Sequence, residues 1–80
     1  MAVLRLFAGA REAAGTAQAE VPGATVDEVL TQARDRFGPA FADVLTHCAV
    51  WRNGEPTARD ATVDDGDEVA VLPPVSGGAT

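Results

Sequence analysis

A histidine and a cysteine stand side by side at His47-Cys48, the residue types of a general base and a thiol nucleophile. Their spacing defeats the pairing, because neighbouring residues entering a strand point to opposite faces and the imidazole cannot reach the thiol. The pair reads as a surface histidine and a buried cysteine. Asp64, Asp65, Asp67 and Glu68 supply carboxylates of the kind that hold metals, without the ligand spacing of a calcium loop. A turn at Gly66 calls for aspartates and glycine in any case. Trp51 has a ring that could stack a ligand, but a single aromatic beside Val50 in a β-forming stretch reads as core or partial surface. Gly9 and Gly15 lack the spacing of a dinucleotide-binding loop, and Pro22-Gly23 brings only one glycine to the next helix start. With one cysteine, the chain has neither an internal disulfide nor a cysteine-based metal cluster. No side-chain constellation makes a convincing catalytic or metal site, which directs attention to the backbone.

Composition narrows the partners. Twelve acidic and six basic residues give a net charge of −6, and every basic residue is an arginine. Such a chain is repelled by phosphate backbones and anionic lipid, so nucleic acid and membrane surfaces are expected non-partners and a basic protein surface is the better fit. The absence of lysine removes Schiff-base chemistry, a Walker-type phosphate lysine and any side-chain amine for an isopeptide bond. Eighty residues, 46% hydrophobic and 22% charged, predict one globular domain with one small core. No apolar run approaches a bilayer span, and Arg5 interrupts the first apolar stretch, unlike a signal peptide; a cytoplasmic location is expected.

The elements follow from periodicity. Ala2–Phe7 is a nearly continuous apolar run around Arg5 and predicts a buried strand. Residues 8–15, bracketed by glycines, predict a loop with a turn of helix. Thr16–Val21 alternates as a half-exposed strand. Thr25 and Glu28 form a capping box, from which Val26, Val29, Leu30, Ala33 and Phe37 recur at helical spacing until Gly38-Pro39 stops the helix, the glycine suited to a left-handed cap. Ala40–Leu45 predicts a short helical turn carrying Phe41, Val44 and Leu45 to the core. Cys48–Arg52 is a strand ended by the Asn53-Gly54 turn, with a weak return strand at Thr57–Ala58. Glu68–Leu72 is the clearest β segment, stopped by Pro73-Pro74. This order predicts an α+β domain, a mixed sheet of four to five strands covered on one face by one main helix, as in the β-grasp layout. The domain is expected to occupy residues 1–75 and a flexible tail residues 76–80.

That tail holds the remaining chemistry. Prolines stiffen the exit from the last strand, and Ser76, Gly77 and Gly78 follow with little or no side chain. Val75 through Gly78 spans roughly 13 Å when extended, enough to enter a narrow pocket in a partner.

From LRLFAGAREAAG at 4–15, the capped helix, the Asn53-Gly54 turn and DGDEVAVLPPVSGG at 65–78, the chain resembles the MoaD/ThiS family of ubiquitin-like sulfur carriers, most of all its branch of molybdopterin synthase small subunits. The resemblance implies a ubiquitin-like β-grasp fold and a carrier with no bound cofactor. The carboxylate of Gly78 would be adenylated with ATP by an E1-like adenylyltransferase, then converted to a thiocarboxylate. A carboxylate is a poor electrophile, and the adenylate gives it a phosphate leaving group. It further implies a large synthase subunit, in a heterotetramer, that admits the tail and passes sulfur to a pterin precursor of the molybdenum cofactor. Sulfur carriers for thiamine, cysteine or a secondary metabolite share the same tail, as do ubiquitin-like protein modifiers, and an interaction-only module is the fourth reading.

One departure bears on this. Gly78 is followed by Ala79-Thr80, so its carbonyl is an amide. A maturation protease that removes two residues, residues added in producing the protein, or a decayed or structural relative would each account for them. The family's apolar docking surface maps onto Phe7 and Leu72, on the strand face opposite Leu6 and Val71, and continues along Pro73, Pro74 and Val75. Arg11 matches the family's loop and is expected to meet the partner or cap its own loop.

Overall fold

The computed structural model describes residues 1–73. The elements run β1 (Ala2–Leu6), α1 (Ala8–Ala14), β2 (Gln18–Val21), α2 (Val26–Phe37), α3 (Pro39–Leu45), β3 (Ala49–Arg52), β4 (Glu55–Pro56) and β5 (Glu68–Leu72). The five strands form one mixed sheet in the order β2-β1-β5-β3-β4. Only the central β1–β5 pair is parallel. The helices lie against one face, and the fold is the β-grasp, ubiquitin-like α+β fold.

Period-two alternation builds the core. Leu4 and Leu6 on β1 and Val69 and Val71 on β5 are fully buried, while Arg5 is exposed and Glu68, Ala70 and Leu72 stay partly accessible on the other face. Val26, Val29, Leu30 and Ala33 of α2 and Phe41 and Leu45 of α3 close over the inner face. No polar or charged residue is buried among those described.

Helix α2 starts where expected. Thr25 Oγ1 accepts from the Glu28 N–H at 3.2 Å, but the Glu28 carboxylate accepts from the Ala24 N–H at 2.9 Å, one residue earlier than a capping box requires. A loop also crosses this helix end. The Val26 and Asp27 N–H groups donate to the carbonyls of Ala61 and Arg59, and Thr25 bridges Thr62. Gly23, with φ 156°, lets the chain pass close against the first turn of α2, since a Cβ there would lie 2.7 Å from the Val29 nitrogen. Gly38 takes a positive φ of 93° with ψ −175°, outside the left-handed helical region, and so turns the chain directly into α3 with Pro39 in its first turn.

Three expectations need correction. Residues 8–14 form a helix and not a loop with one turn: Ala10 is buried, the segment packs on α3, and Gly15 caps it in the left-handed conformation with its N–H on the Arg11 carbonyl. Tertiary packing offsets the nucleation cost that a segment this short could not meet alone. The return strand is Glu55–Pro56 and not Thr57–Ala58. Asn53 and Gly54, both at positive φ, make a two-residue turn that pairs Arg52 with Glu55 at once. Pro56 is tolerated because β4 is an edge. β2 begins at Gln18, since Thr16 and Ala17 lie in the approach, where the Thr16 hydroxyl bonds the Gln18 carbonyl. The division after residue 75 lies outside the described residues.

Val71 sits at the centre of the core with no exposed surface. Val71→Asp is expected to cost several kcal/mol, comparable with the whole stability of a domain this size, read as loss of a cooperative urea or thermal transition. An unchanged midpoint would show the residue to lie outside the core.

Candidate functional site: an apolar groove at the strand exit

The outer face of the sheet is apolar at one end. Pairing Ala49 with Leu72 and Trp51 with Ala70 sets these four residues side by side on β3 and β5. Phe7, at the end of β1, closes the near side. With Gly54, Glu68 and Pro73 they line a shallow groove of about 440 Å³. Pro73, the last described residue, stands on its edge.

Phe7 is the most telling member. It is 39% exposed, and among the described residues only Met1 is another large hydrophobic that is exposed. Its exposure is held by the backbone: the Phe7 N–H donates to the Val71 carbonyl at 3.2 Å, its own carbonyl accepts from the Ala10 N–H at 3.1 Å, and Ala8 takes φ 52° to turn the chain into α1. A non-glycine residue at positive φ costs about 1–2 kcal/mol, so the fold spends energy on the turn that leaves this ring in water.

Charges border the apolar floor. Arg5 Nη1 donates to Glu68 Oε2 at 3.2 Å, and Arg52 Nη1 lies 3.6 Å from Asp67 Oδ2. Asn53 fixes this end of the sheet, with its N–H on the Glu68 carbonyl, its Oδ1 accepting the Glu68 N–H and its Nδ2 donating to Asp67. Asp67 also accepts the Asp64 N–H at 2.9 Å, and this bond, the Asn53 amide and the nearby Arg52 hold its carboxyl below the usual carboxylate range. The acidic run is therefore a hydrogen-bonded turn, and among the described residues no cluster of three or more His, Cys, Asp or Glu side chains is placed to hold a metal.

The other residues with chemical potential are inert here. His47 is exposed, Cys48 is half-buried against the core with its thiol pKa raised by desolvation, and both lie in the turn before β3. A second depression of about 350 Å³ beside Pro22, Gly23, Glu28, Thr31 and Gln32 sits at the start of α2. The helix-end N–H groups of Val26, Asp27, Glu28 and Val29 are already bonded within the protein.

Of the residues expected to meet a partner, Phe7, Leu72 and Pro73 come together on the groove. Arg11 is exposed on α1, and among the described residues its guanidinium makes no hydrogen bond or ion pair. Pro74, Val75, Ser76, Gly77 and Gly78 lie outside the described residues. Sequence reasoning missed Ala49, Trp51 and Ala70 as floor residues, although strand alternation from Leu72 reaches Ala70, and the hairpin from Asn53-Gly54 brings Trp51 alongside.

The ThiS family pattern matches residues 4–78, from the middle of β1 through both glycines. The chain belongs to the ThiS family. Small archaeal modifier protein 1 of Haloferax volcanii is 39% identical, covering 92% of this chain and 97% of the relative. The solution structure of the Methanosarcina acetivorans small archaeal modifier protein 1 superposes with a TM-score of 0.86 at 30% identity, over 96% of this chain and 95% of that one. A Pyrococcus furiosus putative molybdopterin converting factor subunit 1 is less similar in sequence, 27% identical with a TM-score of 0.79, covering 92% and 97%. The match to the Amycolatopsis orientalis BexX/CysO complex, at 26% identity, 98% and 100% coverage and a TM-score of 0.80, comes from a structure in which a family member is held by a protein partner. The chain is thus a small protein of the MoaD/ThiS carrier and modifier type, more similar to these two modifiers than to the molybdopterin factor expected above. No helix among the described residues is long and apolar enough to cross a membrane.

Asp67 generates a pH prediction. Its folded pKa is depressed, so its stabilising contribution is present above the ordinary value of about 3.9 and is lost as pH falls through the lower folded value. Urea midpoints measured from pH 5 downward are expected to fall less steeply for Asp67→Asn than for the unaltered chain.

Proposed function

We propose that this protein is a ubiquitin-like carrier that works through the carboxylate of Gly78, activated as an acyl-adenylate by an E1-like adenylyltransferase that consumes ATP. The observation that carries the reading is the position of Pro73, five residues before Gly78 in sequence, on the edge of an apolar groove. A partner seated on Phe7, Trp51 and Leu72 would receive the tail in its own active site, which accounts for a carrier without catalytic side chains. Similarity to small archaeal modifier proteins favours attachment of Gly78 to amines of other proteins, with sulfur transfer through a Gly78 thiocarboxylate as the parallel use of the same adenylate. Delivery of sulfur to a molybdopterin synthase large subunit is the second reading, favoured by the Pyrococcus similarity.

The chemistry requires a free carboxylate. Gly78 is bonded to Ala79, and an amide cannot be adenylated, so a protease acting after Gly78 belongs to the proposal. ATP–pyrophosphate exchange with the E1-like enzyme is expected for a chain ending at Gly78 and not for the 80-residue chain. Equal exchange by the untrimmed 80-residue form would exclude Gly78 as the reacting residue. Adding sulfide to the activated form should replace one oxygen by sulfur in the intact mass. Adding a lysine-bearing acceptor protein should give an isopeptide, and the ratio of the two products separates carrier from modifier.

The groove makes its own prediction. Phe7→Ser and Leu72→Arg alter outer-face positions and are expected to shift stability by less than about 1 kcal/mol in urea titrations. Both should weaken association with the E1-like enzyme about tenfold or more, measured by calorimetry. Unfolding of both variants would assign these residues to the core instead.

A further inference from the structure

Asn53 is the only asparagine of the chain, and a glycine follows it. The β3–β4 turn calls for this pair, because positions 53 and 54 take φ 51° and 87°, angles that asparagine and glycine accept most readily. The same pair carries a chemical liability. Gly54 has no side chain to shield its nitrogen, so in an opened chain that nitrogen can reach the Asn53 side-chain carbonyl. The Gly54 nitrogen gives its proton to solvent and bonds to Asn53 Cγ. The Cγ–Nδ2 bond then breaks, and Nδ2 leaves as ammonia with the electron pair and a proton from water. Water opens the resulting succinimide at either carbonyl, giving aspartate or an isoaspartate whose backbone runs through Cβ and Cγ.

The fold holds Asn53 out of this reaction. Its Oδ1 accepts the Glu68 N–H at 2.9 Å, its Nδ2 donates to Asp67 Oδ1 at 3.2 Å, and its own N–H donates to the Glu68 carbonyl at 2.8 Å. These partners are the first residue of β5 and the residue before it. None of them is on β4, a two-residue edge strand with Glu55 and Pro56 both exposed. Fraying of β4 therefore leaves the Asn53 side chain clamped, whereas separation of β3 from the start of β5 frees it.

We propose that Asn53-Gly54 is a self-modification site, kept closed in the folded chain by the clamp on Asp67 and Glu68 and converted irreversibly when this end of the sheet opens. The product cannot rebuild the clamp. Aspartate at position 53 sets a carboxylate where Nδ2 met Asp67, itself bonded to the Asp64 N–H with Arg52 3.6 Å away, and like charges face each other. Isoaspartate lengthens the backbone of a two-residue turn and disturbs the pairing of Arg52 with Glu55. Trp51, two residues earlier, lines the apolar groove, so the change loosens the β3 side of that groove. A chain that has once opened is thereby marked. The proposal is independent of any chemistry at Gly78.

The test incubates the full chain at mildly alkaline pH, folded and in guanidinium chloride above its transition, and follows intact mass for replacement of NH2 by OH. The unfolded chain should convert at least about tenfold faster, because the folded one must first open locally. Asp67→Ala, shown folded by a cooperative denaturant transition, should convert several-fold faster than the unaltered folded chain. Asn53→Gly keeps the positive φ and should show no such gain. Asp65-Gly66 can rearrange through the same ring without a change of mass, so the mass reports on Asn53. Converted chain, refolded, should unfold at lower denaturant concentration and show Trp51 emission more readily quenched by acrylamide. Equal rates in the folded and unfolded chain, a gain persisting in Asn53→Gly, or a folded Asp67→Ala as slow as the unaltered chain would overturn the proposal. Unchanged midpoint and quenching in the converted chain would overturn it as well. Should Asp67→Ala fail to fold, the comparison of the two states of the unaltered chain still decides.

Discussion

The whole arrangement depends on strand alternation across the central parallel pair. Because successive side chains of β1 and β5 point to opposite faces, burying Leu4, Leu6, Val69 and Val71 beneath the helices forces Arg5, Phe7, Ala70 and Leu72 onto the other side. A register slip of one residue would send the core valines to solvent and Arg5 to the interior, so the register is strongly fixed. The outer groove is thus the obligatory reverse of the core. Alternation fixes which residues line that groove, while their apolar character is set by the residue types at those positions.

This coupling explains how so small a domain carries an apolar docking face without placing it on a mobile loop. Phe7 is clamped by hydrogen bonds through both its N–H and its carbonyl, and the strained turn at Ala8 is held by the packing of α1 on α3. Asn53 serves the opposite end, tying the β3–β4 turn to Glu68 and Asp67 so that the β3 side of the groove keeps its place beside β5. Of the acidic residues that looked like candidate ligands, Asp67 is taken up by the Asp64 N–H and the Asn53 amide, Asp65 pairs with the Met1 ammonium and Glu68 pairs with Arg5. Under the proposed function, chemistry is moved off the folded body, which is left to position a partner.

Separating docking from reaction also gives sense to the charge pattern. Ion pairs border the groove and favour orientation over affinity, since exposed pairs contribute little net energy. An acidic chain with an apolar groove suits a basic partner surface.

Much of this was legible in the residues themselves. The capped helix from Thr25 to Phe37, the strand at Glu68–Leu72, the Asn53-Gly54 turn and the opposition of Phe7 and Leu72 to Leu6 and Val71 follow from local chemistry and period, which act within a few residues. The Gly77-Gly78 signature is likewise a property of sequence alone. What depended on distant contacts was decided only by the tertiary structure. Residues 8–14 became a helix because α3 lies against them, and the Val26 and Asp27 N–H groups are taken by a loop more than thirty residues downstream that crosses the helix start. Trp51 joined the groove because β3 pairs with β5 across an intervening hairpin. Local propensity specifies which face a residue takes along its own strand, whereas which strand lies beside it is set by burying one shared core, and that choice assembled the docking site.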